Sequence, residues 1–117
     1  MNNEELIKLA KFIHKFETDY EYRDYLSENY ENEEIRKIAY KIACDSIDWV
    51  YFEISEKEKF NDLYLNKFAI ENNQVCTNMR KIKEEIINED IAKLIIKTAK
   101  DSNFLNDYKK LFNILNK

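Results

Sequence analysis

Hydrophobic positions recur every three or four residues along most of the chain, which places them on one face of an α-helix. The spacing predicts a first helix over residues 3–16, with Asn3 as its N-cap, and a second helix from 19 to about 30. A third helix begins after Asn32, and the pattern leaves open whether it continues to Ile54 or breaks at Asp45-Ser46. Further helices are predicted over residues 55–69, 77–87, 89–100 and 103–115.

Two short segments interrupt the helical pattern. Residues 49–54 have the aromatic and β-branched composition of a strand, but no turn residues nearby indicate a second strand to pair with it. Asn72-Asn73 is the clearest loop in the chain. No linker divides the sequence, so we expect one domain over residues 1–117.

The predicted helices begin alike. The sequence from Asn3 to Ala10 recurs from Asn32 to Ala39 and from Asn88 to Ile95, each time as an Asn, an acidic turn and an apolar stripe. One interpretation is a duplicated helical unit, as in a short solenoid. The other interpretation is that any capped helix needs these residue types, and that this sequence uses a limited set of residue types throughout.

Composition narrows the fold class. The 117 residues include neither glycine nor proline, and 14 asparagines are available to adopt the left-handed conformation at helix ends. Glycine supplies the positive φ of tight hairpins and of phosphate-binding loops, so its absence argues against both. We therefore predict an all-α fold, a compact single-domain bundle of five to seven short helices, with or without a duplicated helical unit.

The sequence also suggests a cellular location. No apolar run approaches the length of a membrane span, and the N-terminus lacks the basic start and apolar stretch of a secretory signal. Cys44 and Cys76 lie in apolar contexts, and two cysteines are few for a disulfide framework, so we expect buried free thiols. These observations predict a cytoplasmic protein.

Residues that support catalysis are few. His14 is the single histidine, and metal sites or acid–base pairs need more partners than the Glu17 that follows it one turn later. A stripe of carboxylates along a helix does not converge on one cation. The sequence therefore predicts neither an enzyme nor a cofactor or metal site, and His14 is expected to be structural or to lie on the surface.

The strongest functional signal is acidic. Between Glu17 and Glu34, eight acidic residues and four tyrosines accompany a single base, Arg23. Five of the acids are spaced three or four residues apart, so one helix would stack them on its outward face, where like charges repel. With the neighbouring tyrosine they form what we call the acidic stripe: Glu17, Tyr20, Glu21, Asp24, Glu28 and Glu31. Tyr22 and Tyr25 are expected to face inward.

The counter-charge of the acidic stripe has three candidate sources. It is internal if the stripe lies along Lys93, Lys97 and Lys100, which we call the basic stripe. It is a second copy of the chain if opposite charges associate the protein with itself. It is a basic partner protein if the carboxylates steer binding and tyrosine adds rigid contact area.

The function expected from these features is a non-catalytic inhibitor or adaptor that presents the acidic stripe to a basic protein, such as a nuclease or another nucleic-acid-binding protein. Its carboxylates would stand where substrate phosphates lie, as in toxin-immunity proteins, antitoxins and phage-encoded nuclease inhibitors. The first alternative is a self-associating structural or helical-repeat subunit. The second is a small nucleic-acid-binding regulator, which is disfavoured because acids interleave the bases of the C-terminal part.

Overall fold

The computed structural model of the protein describes residues 2–53, 55 and 74–117, and the backbone of 69–71. In this part of the chain, five α-helices accompany one antiparallel sheet of three strands. The elements in chain order are α1 (Asn3–Thr18), α2 (Tyr20–Ser27), α3 (Glu33–Ala43), β1 (Trp49–Phe52), β2 (Ala69–Glu71), β3 (Gln74–Asn78), α4 (Glu89–Asp101) and α5 (Leu105–Leu115). Two short 3₁₀ helices, Met79–Lys81 and Glu84–Ile86, connect β3 to α4.

Side-chain caps begin four of the helices. Asn32 and Asn88 each accept a hydrogen bond from the backbone N–H three residues on, at 3.1 and 3.0 Å. Asn2, rather than the expected Asn3, caps α1 through the N–H of Glu5 at 2.8 Å. Such caps satisfy N–H groups that the helix itself leaves unpaired, so the polar start and the apolar stripe together define these helices.

The recurring helix starts lead into different structures. The first copy is capped one residue earlier than the other two. The helix from Asn32 is followed by a strand, whereas the helix from Asn88 is followed by another helix. The need for an N-cap and an acidic first turn is therefore a sufficient physical reason for the recurrence.

The third helix breaks at Asp45-Ser46 instead of continuing to Ile54. Its last turn ends where the Cys44 N–H bonds to the Tyr40 carbonyl at 3.1 Å. Beyond it the chain extends into β1, so the strand-like composition of residues 49–52 indicated the correct structure.

The mostly helical part of the all-α prediction is confirmed, but the chain also forms a small sheet. The strand order is β1-β3-β2, and Val50 pairs with Thr77 while Ala69 pairs with Cys76. The predicted helix over 77–87 is wrong, because Thr77 belongs to β3 and the residues after it form 3₁₀ turns. The fold is mostly helical with a small sheet.

The expected fourth helix, residues 55–69, is only partly covered. Ala69, its last position, lies in β2 and not in a helix. Its remaining positions other than residue 55, and the loop expected at Asn72-Asn73, lie outside the described residues.

α1 is the centre of the packing. It lies against α4 and α2 and also contacts α5 and both 3₁₀ helices, while α4 covers β1 and α3 packs on α2 and α5. The α1 stripe buries Leu9, Ala10, Ile13 and Phe16 almost completely, and each large side chain contributes about 1.5–3 kcal/mol of hydrophobic free energy. The Cα radius of gyration of 14.4 Å is near the ~13 Å expected of one compact domain of this length.

The end of α4 uses asparagine in a conformation for which glycine is common. Asn103, which follows α4, has a φ of 64°. Its short polar side chain tolerates this left-handed conformation. No helix in the described ranges is long and apolar enough to span a bilayer.

Candidate functional site

The acidic stripe does not follow one helix. Asp19 has an extended conformation, ends α1 and caps α2 through the N–H of Tyr22, so the helical phase restarts there. Glu17 therefore belongs to α1 and only 3% of it is exposed, which corrects its expected outward position. Glu21 and Asp24 lie on α2, Glu28 follows it and Glu31 lies in the connection to α3; all four are exposed.

Glu17 is the centre of a buried polar cluster. One carboxylate oxygen accepts a hydrogen bond from the Tyr108 hydroxyl of α5. The other accepts the Ile47 N–H at 2.9 Å and lies 3.5 Å from a terminal nitrogen of Arg23. The carboxylate therefore ties together three segments that are distant in sequence, which is a structural role.

Arg23 provides the matching positive charge from α2. Its guanidinium donates to the Phe16 and Glu17 carbonyl oxygens at 3.0 and 2.8 Å and to the Ser46 hydroxyl at 3.2 Å. It also lies over the Phe16 ring, 5.6 Å from the centroid. The single base of the acidic segment is thus engaged internally and does not neutralise the surface acids.

Burial is the main influence on the pKa values of Glu17 and Tyr108 in this cluster. Burial raises the pKa of the Glu17 carboxyl, against the opposing effects of the Tyr108 hydrogen bond and the Arg23 charge. Burial also raises the pKa of the Tyr108 hydroxyl, so this group keeps its proton and remains a donor. The Tyr108 ring packs edge-on against Phe16, with 5.7 Å between the centroids.

Tyrosines dominate the surface around the remaining acids. Tyr30 is 83% exposed, Tyr25 69%, Tyr40 64% and Tyr20 46%. Tyr25 was expected to face inward, and this is wrong, because Leu26 and Arg23 occupy the buried side of the short helix α2. We call the exposed set the acidic-tyrosine surface: Tyr20, Glu21, Asp24, Tyr25, Glu28, Tyr30, Glu31 and Tyr40.

Sequence reasoning missed Tyr40 and Tyr30 as members of this surface. Tyr40 lies off the apolar stripe of α3, which buries Ile35, Ala39 and Ile42. That helical spacing was a usable signal. Tyr30 lies between two helices, where periodicity gives no information about exposure.

Arginine side chains cover part of this tyrosine set. Arg23 and Arg80 lie over the Tyr20 ring, 4.9 and 4.6 Å from its centroid, and Arg36 lies over the Tyr30 ring at 5.4 Å. These are all the arginines of the sequence. A guanidinium within about 6 Å of an aromatic face is attracted to it, so these contacts are cation–π pairs within the chain.

A cleft of about 700 Å³ lies between α2 and α3. Asp24 and Glu28 contribute carboxylates to it, and the far wall comes from α3. Its complete lining is Asp24, Ser27, Glu28, Tyr30, Arg36, Lys37, Tyr40, Ala43 and Cys44. The cleft places part of the acidic-tyrosine surface in a concave setting.

The basic stripe does not neutralise these acids. Lys93 pairs with Glu89 of its own helix at 2.9 Å. Among the residues that the structure describes, no ion pair joins Lys93, Lys97 or Lys100 to an acid of the acidic-tyrosine surface. α2 packs on α3 and α1, whereas α4 packs on α1, β1 and α5.

The remaining reactive groups are structural or isolated. His14 is buried, its Nε2 hydrogen-bonds with the Ile82 carbonyl, and burial lowers its pKa. Neither cysteine forms a disulfide; Cys76 is buried as expected, but Cys44 is exposed at the end of α3. Within the described ranges, no three His, Cys, Asp or Glu side chains are grouped as metal ligands.

Comparison with known proteins assigns no family. The chain matches no protein-family model, no curated protein and no solved structure. The functional interpretation therefore depends on the chemistry of the acidic-tyrosine surface itself.

Proposed function

We propose that the protein is a non-catalytic binding module that presents the acidic-tyrosine surface to a basic partner protein. The observation that carries the proposal is the state of four carboxylates. Glu21, Asp24, Glu28 and Glu31 are exposed, and in the part of the chain that the structure describes none of them has an ion-pair partner. Four exposed tyrosines surround them.

The charge of this surface favours a cationic partner. Exposed carboxylates attract a Lys/Arg-rich surface over about one Debye length, ~8 Å at physiological salt, and so accelerate encounter. Tyrosine rings then supply large, rigid contact area, a common source of binding energy at interfaces. The two residue types together suit a partner whose own ligand is anionic.

An inhibitor or adaptor is the form of this function that we favour. A nuclease, or another protein that binds nucleic acid, has a basic surface for phosphates, and carboxylates of this module would occupy it. Binding would then exclude the nucleic acid by competition. The burial of Glu17 restricts the contact to the remaining members of the acidic stripe and the tyrosines beside them.

Charge reversal tests the proposal. The wild-type protein and two variants serve as baits that capture partners from the native host. The test variant is Glu21→Lys with Asp24→Lys. The matched control is Glu5→Lys with Asp101→Lys, which makes the same charge change elsewhere on the protein. We expect a basic protein to bind the wild type and the control and to be lost from the Glu21/Asp24 variant. With the purified partner, association should slow at least tenfold and depend less on salt.

Folding and specificity need separate readouts in this experiment. Thermal unfolding of each variant checks that both pairs leave the fold intact, since all four positions are exposed. A partner that binds the Glu21/Asp24 variant at the wild-type rate would refute the proposal.

Self-association is the second candidate. Lys97 and Lys100 are exposed and have no ion-pair partner among the described residues, like the acids of the acidic-tyrosine surface. Because the two sets of charges belong to different elements, copies of the chain can pair them head to tail. This arrangement predicts an assembly that weakens as salt is added.

A further inference from the structure

The cleft between α2 and α3 is lined by charged side chains of both signs. The cations and the carboxylates differ in whether they have partners within the described part of the protein. Lys37 pairs with Glu33 one turn earlier at 2.9 Å. Arg36 lies over the Tyr30 ring. Both cations of the lining therefore have partners within the protein.

The carboxylates of the cleft are different. Asp24 and Glu28 lie on the wall opposite α3 and have no ion pair within the described ranges. Two like charges spaced four residues apart on a helix repel each other. A cation placed in the cleft removes that repulsion, so the cleft favours a positively charged occupant.

The tyrosines indicate which cation suits the cleft. Tyr20 and Tyr30 already have arginine side chains over their rings. Tyr40, which also lines the cleft, has no cation over its ring in the part of the chain that the structure describes. A planar guanidinium stacks on an aromatic face and presents its N–H donors in a rigid fork that matches carboxylate oxygens, whereas an ammonium is a compact charge without that planar geometry.

We propose that this cleft receives an arginine side chain of the basic partner, with its guanidinium over the Tyr40 ring and paired with Asp24 and Glu28. The inference rests on the proposed function and makes it specific. The acidic-tyrosine surface as a whole steers the partner, whereas the cleft fixes one residue of it. An arginine-containing segment, rather than basic charge in general, is the expected ligand.

A peptide assay with a reporter inside the cleft tests this inference. Synthetic oligo-arginine and oligo-lysine peptides of equal length are titrated into the protein at low salt. Cys44 lines the cleft and is exposed, whereas Cys76 is buried, so the rate of alkylation by iodoacetamide reports on cleft occupancy. We expect oligo-arginine to bind and to slow the alkylation of Cys44, and oligo-lysine to do so about tenfold more weakly.

Three matched pairs of substitutions locate the binding. The cleft pair is Asp24→Asn with Glu28→Gln, the surface pair is Glu21→Gln with Glu31→Gln, and the remote pair is Glu5→Gln with Asp101→Asn. Each pair removes two negative charges, and all six positions are exposed. The cleft pair should abolish the protection of Cys44, the surface pair should weaken binding but keep protection at saturation, and the remote pair should leave both unchanged.

Tyr40 provides the second test. Tyr40→Leu removes the aromatic face and should weaken oligo-arginine about tenfold, within the range of a desolvated cation–π contact, while Tyr40→Phe keeps the face and most of the affinity. Equal protection by both peptides, or equal loss in the Leu and Phe variants, would overturn the arginine assignment. If the cleft pair and the surface pair of substitutions weaken peptide binding equally, and bound peptide does not protect Cys44, the cleft site is overturned and the proposed function still stands. No binding of either peptide at low salt would refute both.

Discussion

Tyr108 and Glu17 show how one side chain on α5 satisfies a charge on α1. The hydroxyl is buried and donates to the carboxylate, which also receives the Ile47 N–H and the Arg23 guanidinium. Removing one donor leaves a buried acceptor without its full set of partners, and this costs more than the hydrogen bond itself contributes.

The substitution Tyr108→Phe isolates that hydroxyl. We expect it to lower the free energy of unfolding by about 1–3 kcal/mol, because the carboxylate loses a donor while the ring packing is retained. Urea denaturation measures the loss. Tyr40→Phe is the control, since its hydroxyl is on an exposed ring and its effect should stay within about 0.5 kcal/mol. Equal losses in the two variants would contradict the role assigned to Tyr108.

His14 makes the stability depend on pH. Burial holds its folded pKa below 6.5, with Glu84 and Glu85 acting in the opposite direction. Between 6.5 and the folded pKa, the unfolded chain binds a proton that the folded chain does not. The free energy of unfolding should therefore fall as pH is lowered through this window, and the loss should end below the folded pKa.

The variant His14→Gln separates this contribution from that of Glu17. Glutamine does not titrate but keeps an N–H for the Ile82 carbonyl. The difference in unfolding free energy between wild type and variant should shrink as pH falls from 7 toward 5, as measured by urea titrations. Glu17 acts oppositely, because its raised pKa makes stability fall as pH rises above about 4.5. A pH-independent difference would contradict the effect assigned to His14.

At the scale of elements, N-caps separate helices that periodicity alone would join. Asp19 interrupts the run between α1 and α2, and Asn32 starts α3. The sequence predicted separate helices over 3–16 and from 19 to about 30, yet the spacing of the acidic stripe placed Glu17 on the second of them. This placement was wrong, because Glu17 belongs to α1 and a cap residue can sit inside an unbroken three-and-four pattern. Composition marks the caps, but only their backbone conformation shows that the helical phase restarts.

Removing the cap of α3 tests its contribution. Asn32→Ala should destabilise the protein by about 1 kcal/mol, since the Ile35 N–H loses its acceptor. Asn113→Ala in α5 is the control, because Asn113 is exposed and alanine is the better helix former. Urea denaturation compares the two variants with the wild type. An Asn32→Ala variant as stable as the wild type would show that α3 depends on packing alone.

The part of the fold that the sequence predicts is local. The apolar stripes of α1, α3, α4 and α5, and the caps of the first three of these, involve neighbours within one or two turns. The partners of Glu17 lie 30 and 91 positions away, and β1 pairs with a strand beginning more than twenty residues later. No local pattern carries such information, so the burial of Glu17 and the existence of the sheet were both missed.

At the scale of the whole molecule, charge is distributed rather than balanced in pairs. The net charge is −4, yet the acids of the acidic-tyrosine surface and the lysines of α4 remain separate in the described part of the chain. We expect a monomer in sedimentation at physiological salt, because the proposed partner is a different protein. Concentration-dependent assembly that Lys97→Glu with Lys100→Glu abolishes would favour self-association instead.

The contact between Tyr108 and Glu17 also has a consequence for synthesis. A ribosome makes the residues of α1 and α2 well before those of α5. The hydroxyl donor of Glu17, Tyr108, is added 91 residues after Glu17 itself. Until then the nascent chain has a carboxylate and a guanidinium at a site that only α5 completes. We therefore expect the first two helices to reach their final packing only after α5 has left the exit tunnel.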